Sequence, residues 1–148
     1  MKTIFDAVVR EEVLARIDAI TQHAKAQWGK MNVYQMLVHC ARWEEMILRS
    51  KMYKRDFTGR LIGGWVLKSI LQDDLPLQRS MPTIADLVVE ETSGNVQAAK
   101  VKWISLLNEY SHYSNLNYRH PFFGKMTKEE IGLLAYKHSD HHLRQFNC

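Results

Sequence analysis

Apolar residues recur at helical spacing in four stretches of the chain. Val9, Val13, Ile17 and Ile20 make the first stripe, and Gly29 follows it as a breaker. The second opens on Asn32, an N-cap with Gln35 three residues on. Met36, His39, Trp43, Met46 and Ile47 then share one face to about Ser50. From Ser93 onward, Val96, Ala99, Trp103, Leu106, Leu107 and Tyr110 give the clearest stripe. The fourth begins at "TKEE", where Thr127 and Glu130 form a capping box, and runs to about Phe146.

The stretches between these helices carry weaker signals. "GRLIGGWVLKSIL", Gly59 to Leu71, is apolar and could form a short helix, but Gly63 and Gly64 weaken it, so it reads as a connecting or lid-like element. Pro76 and Pro82 punctuate the next stretch and leave "IADLVVE" as a short piece, extended or helical. "HYSNLNYRHPFFG" reads as a long loop, with Asn115, Asn117, Pro121 and Gly124 as its turn residues. No run alternates as a strand and no segment repeats. The expectation is one all-α domain over residues 1–148, a four-helix bundle with a long connection between the second and third helices. That connection argues against plain up-down-up-down order.

Composition narrows the class. A chain of 148 residues with 46% hydrophobic and 24% charged residues can bury a core without disulfides, and it is neither disordered nor fibrous in character. Asp6, Arg10, Glu11 and Glu12 interrupt the N-terminal stretch where a signal peptide needs an apolar run, and no later run reaches transmembrane length. A cytoplasmic protein with no membrane partner is expected. Cys40 and Cys148 are the two cysteines, without CxxC spacing, so neither a disulfide framework nor a cysteine metal site is expected. The net charge of +4 includes a basic cluster, "RSKMYKR", with Arg49, Lys51, Lys54 and Arg55. Cations at the end of a helix are favoured by its dipole, so this reads as a solvated helix end and nucleic acid is not an expected partner.

The candidate chemistry lies in "KHSDHHLRQF", where three of the seven histidines fall together. On a helical wheel Ile131, Leu134, Ala135, His138, His142 and Gln145 occupy an arc about 100° wide, with His141 at its edge and Asp140 pointing away. His39 lies within the apolar stripe of the second helix. A buried imidazole needs partners for both ring nitrogens, and leaving one unpaired costs about 1–3 kcal/mol. Two arrangements meet that need: the rings hydrogen-bond one another and Gln145, or they share an ion. An i, i+4 pair with one more histidine from a facing helix makes a three-ligand site with an open position. Such ligands suit Zn, Ni, Fe or Cu. Ser139 stands where the zinc-protease HExxH motif has its glutamate, so that mechanism is not expected. His23, His112 and His120 read as surface or loop residues, His120 being of interest because its loop leads into the last helix. Cys40 reads as a small core residue.

"QWGKMNVYQMLVHCARWEE", "HPFFGKMTKEE" and "KHSDHHLRQF" together resemble a branch of the DinB-like superfamily of metal-binding four-helix bundles, one grouped as a domain of unknown function. The resemblance implies His39, His138 and His142 as ligands of a divalent transition metal, Zn, Ni or Fe, with Gln145 at the superfamily's glutamine position. His141, Trp43 and His120 are further pocket candidates. Where the superfamily often has "HRGQ", this chain has His142-Leu143-Arg144-Gln145, and replacement of the glycine by Arg144 alters the pocket there. Some relatives are thiol-dependent transferases or isomerases. The implied function is thus a metal-dependent enzyme acting on a small molecule, with a low-molecular-weight thiol as co-substrate. The alternative is a non-catalytic bundle acting by ligand binding or by association, as a homodimer, through "LIGGWVLKSIL".

Overall fold

The computed structural model describes residues 1–148. Five α-helices carry the fold: α1 (Ala7–Asp18), α2 (Val33–Leu48), α3 (Phe57–Ile70), α4 (Val96–Glu109) and α5 (Lys128–Gln145). The four expected helices are α1, α2, α4 and α5. Each starts at a side chain that accepts the free amides of the first turn: Asp6, Asn32, Asn95 and Thr127, with full capping boxes at Asn32–Gln35 and Thr127–Glu130.

The fifth helix, α3, realises the short helix that Gly59–Leu71 could form, so the connecting element is regular despite Gly63 and Gly64. Asp56 caps it, accepting from Gly59 N at 2.7 Å. Its glycines are not breakers here because they are the contact surface: a Cβ on Gly59 or Gly63 would lie 2.5 or 2.1 Å from the Phe122 carbonyl oxygen. Close approach of backbone to backbone selects glycine and offsets its low helix propensity. The loop before α5 also holds more order than expected. Arg119–His120 (β1) and Gly124–Lys125 (β2) pair antiparallel, and α3 packs against β2. "IADLVVE" contains one 3₁₀ turn, Ala85–Leu87.

α2 packs most extensively on α4, α1 on α4 and α5, and α2 also meets α5. Met36, Leu37, Met46 and Ile47 of α2, Trp103, Leu106 and Leu107 of α4, and Ile17 with Ile131, Ala135 and Leu143 fill the space between them. α5 is the most enclosed helix although its sequence is polar. Asp140, expected to point away from the core, is buried, held by Arg16 at 2.7 Å and Arg144 at 2.6 Å. Lys137 is buried too, donating to the carbonyls of Ile70 and Leu75 at 2.8 and 2.9 Å. Paired in this way, charged side chains can line an interior face that their hydropathy would place in water. No helix is long and apolar enough to cross a membrane.

Candidate metal centre

α2 contributes His39, and α5 contributes His138 and His142 one turn apart. Their ligating nitrogens all lie within 4.8 Å of one another. The ring centroids are 5.3 Å apart for His39–His138, 4.9 Å for His39–His142 and 4.7 Å for His138–His142. His39 and His142 are buried, and His138 is half-buried as a residue with its ring enclosed against Trp43.

The hydrogen bonds behind the rings decide which nitrogen faces inward. His39 Nδ1 lies 3.1 Å from the Leu87 carbonyl, which can only accept, so Nδ1 carries the proton and Nε2 presents a lone pair. His142 Nδ1 lies 2.9 Å from Gln145 Oε1. The Gln145 amide is oriented in turn because its Nε2 donates to the Trp28 carbonyl at 2.8 Å. Oε1 therefore accepts from His142 Nδ1–H, and His142 Nε2 is also a lone pair. An outer shell that fixes the tautomer of each ring is the usual companion of histidine ligation.

His138 is held differently. Its ring stacks on Trp43, with centroids 4.3 Å apart and planes 14° from parallel. Its Nε2 is 3.3 Å from His39 Nε2, about the separation of two nitrogens on a tetrahedral ion with bonds of about 2.0–2.1 Å. Its Nδ1 is buried with no partner. The inward lone pairs of His39 and His142 suit a cation better than a closed network of neutral imidazoles, because His138 has a single ring N–H to give and can serve one of them at most.

All three rings are neutral. Burial is the chief cause: it lowers His39, pushes His142 down to about 3, and holds His138 well below its usual value, with the neighbouring rings adding to the effect on His138 and His142. No carboxylate belongs to the cluster. The residues present thus fit a divalent transition metal: three neutral imidazoles, two with fixed tautomers, and no protein charge to compensate the ion.

His141 is buried beside the triad but outside it, edge-on to Trp28 at 5.6 Å and to His142 at 5.1 Å. His120 is buried, which corrects its reading as a surface or loop residue. The β1–β2 turn wraps around its ring, and Nδ1 accepts from the amides of Phe122 and Phe123 at 3.1 and 3.2 Å. Burial pushes its pKa down to about 4, with Arg55 adding to the shift. It organises the turn on which α3 rests. His23 and His112 are exposed, and Cys40 is a buried core thiol whose pKa burial raises. In the basic cluster, Arg49 pairs with Glu109 and Lys51 with Glu45, in keeping with a solvated helix end.

Sequence reasoning missed two contributors to the cluster, Leu87 and Gly29, and one buried acid outside it, Glu44. Leu87 supplies the carbonyl for His39 from a segment without a clear pattern. That segment is pinned along α2 by Gln35, which donates to Val89 O at 3.0 Å, and by Arg42, which donates to Val88 O at 2.9 Å. The donor row Gln35, His39, Arg42 at helical spacing was the available signal. Gly29, read as a helix breaker, has φ +81°, and a Cβ there would lie 2.7 Å from Gln145 Nε2. Its missing side chain lets Gln145 reach Trp28 O. Glu44 is fully buried on α2, accepting from Tyr110 O–H at 2.6 Å, and burial raises its pKa to about 8.

Two surface hollows, of about 380 and 290 Å³, lie away from His39, His138 and His142. The first lies beside Asn95 and Lys100, the second beside Arg49 and Tyr113. Neither brings ligating groups together, so chemistry rather than volume marks the site. In comparison with known proteins, the model of a family described as "Protein of unknown function (DUF1569)" matches residues 5–148. No curated protein and no solved structure matches the chain.

Proposed function

Since the chain belongs to the DUF1569 family, whose description names no reaction, we propose its function from the site itself: a metal-dependent enzyme whose His39, His138 and His142 hold one divalent transition metal. The observation that carries this reading is the pair of locked tautomers, His39 against Leu87 O and His142 against Gln145 Oε1, which aim two lone pairs at His138. Packing of α1, α2, α4 and α5 on one another supports a four-helix bundle of DinB-like type, with α3 and the Ala85–Leu87 turn inside its long connection.

Three neutral ligands leave the positive charge of an ion uncompensated and a coordination position open, a setting that attracts an anion. An ion held there would supply Lewis acidity and favour the thiolate form of a low-molecular-weight thiol. The residues of the chain do the rest. Leu87 O and Gln145 hold the protons of His39 and His142 on Nδ1, and Trp43 fixes the plane of His138. Transfer or isomerisation of a small electrophile with such a thiol is the reaction we assign.

Metal analysis of protein purified without an affinity tag tests the reading. About one transition-metal ion per chain is expected, the stoichiometry of a single three-ligand site. His138→Ala should lose it, and equal metal content in that variant would sink the assignment.

A further inference from the structure

α3 has two opposed faces. Gly59, Gly63 and Leu67 are buried, the two glycines against the Phe122 backbone. On the other side Phe57, Leu61 and Trp65, spaced four residues apart, are 75%, 73% and 73% exposed, and Ile62 beside them is 44% exposed. Met52, just before the helix, is 87% exposed. The remaining tryptophans, Trp28, Trp43 and Trp103, are buried or partly buried. A contiguous apolar stripe of aromatic and aliphatic side chains left in water marks a surface that meets something else.

The charges around the stripe indicate what that is. Lys54, Arg60 and Lys68 are exposed, and none takes part in an ion pair. The one acid of the segment, Asp56, is engaged in capping α3. We propose that α3 is a docking surface for an anionic lipid bilayer, lying in the interface with Phe57, Leu61 and Trp65 among the acyl chains and Lys54, Arg60 and Lys68 at the phosphates. An apolar stripe rimmed by cations, on a helix of 14 residues and so about 21 Å long, has the character of an interfacial helix rather than a spanning one. Long basic side chains reach the headgroups while their stems lie along the apolar surface.

A second copy of the chain fits this face less well. Two-fold pairing sets a patch against itself, so Lys54, Arg60 and Lys68 of both copies would meet with no acid between them. Nucleic acid would satisfy the cations but leave the stripe wet. The sequence by itself leads to no membrane partner because the test it permits is spanning length. The exposure of α3 adds this one.

Full-length protein should be sedimented with vesicles of phosphatidylcholine alone and of phosphatidylcholine with phosphatidylglycerol. The expected result is partitioning onto the anionic vesicles, weakened by salt, with a blue shift of the Trp65 emission. The double variant Leu61→Ser/Trp65→Ser should lose on the order of tenfold or more of that partitioning. Arg60→Glu/Lys68→Glu should abolish the preference for anionic vesicles. All four replaced side chains are on the solvent side of the helix, and circular dichroism checks that each variant remains folded; Leu61→Ser alone serves if the double variant does not. Failure of the parent protein to bind anionic vesicles, or equal binding by parent and variants, overturns the proposal. A dimer in solution that dissociates on Leu61→Ser, without lipid binding, reassigns the stripe to a second copy and overturns it too.

Discussion

Gln145 stands one turn beyond His142 on α5, and its side-chain oxygen accepts the His142 Nδ1 proton at 2.9 Å while its amide group donates to Trp28 at 2.8 Å. The first bond sets the tautomer of a candidate ligand; the second sets the orientation of the group that sets it. Gln145→Ala should therefore weaken metal binding by about 10–100-fold with the helical content unchanged. Gln145→Glu, which still accepts from His142 but cannot donate to Trp28, should fall between. Competition titration against a chromophoric chelator measures both.

Stability should fall with rising pH through Glu44. Its folded-state pKa is raised from 4.5 to about 8, first by burial, so between those values the folded chain binds more protons than the unfolded one. The contribution is fully present below about pH 4.5 and lost as pH rises through about 8, of the order of a few kcal/mol. The buried histidines act in the opposite sense, since their lowered pKa values favour the folded state above about pH 6.5 and lose that contribution as pH falls. Urea midpoints of metal-free protein across pH, compared with Glu44→Gln, separate the two: the variant should lose the decline between about pH 4.5 and 8 and keep the decline on acidification.

The two central glycines of α3 should respond in opposite ways to alanine. At Gly63 a new Cβ meets the Phe122 carbonyl oxygen at 2.1 Å, and backbone cannot step aside cheaply, so Gly63→Ala should cost about 1–3 kcal/mol or more. At Gly64 nothing lies within 4 Å, and Gly64→Ala should stabilise the helix by up to about 1 kcal/mol. Thermal unfolding of the pair distinguishes a seated helix from a loosely attached one.

Asp140 ties three parts of the chain together, since Arg16, which it binds, also donates to the Cys148 carbonyl at 2.9 Å. Asp140→Asn should destabilise by about 1–3 kcal/mol, less than a fully enclosed pair because Arg16 is partly solvated. A double-mutant cycle with Arg16→Ala should show strong coupling, and additive effects would contradict the bridge.

The helices and two of the three clustered histidines were legible because both depend on local spacing. Capping residues such as Asn32 and Thr127 act within a single turn, and the His138–His142 pair is set by the pitch of one helix. The placement of His39 beside that pair depended on how α2 meets α5, which helical spacing suggests but does not fix. α3 was only weakly legible for a related reason: low propensity at Gly63 is a local penalty, while its compensation, the Phe122 backbone, lies about sixty residues away in the chain.

The sequence by itself determined the periodic elements, their caps and the inward face that carries His138, His142 and Gln145, all properties of neighbours along the chain. The tertiary structure alone decided which nitrogens face one another, that Leu87 O and Trp28 O lock two tautomers, that His120 and Asp140 are buried, and that Phe57, Leu61 and Trp65 are not. Each of those depends on a partner distant in sequence, and burial, hydrogen bonding and tautomer arise only when such partners meet.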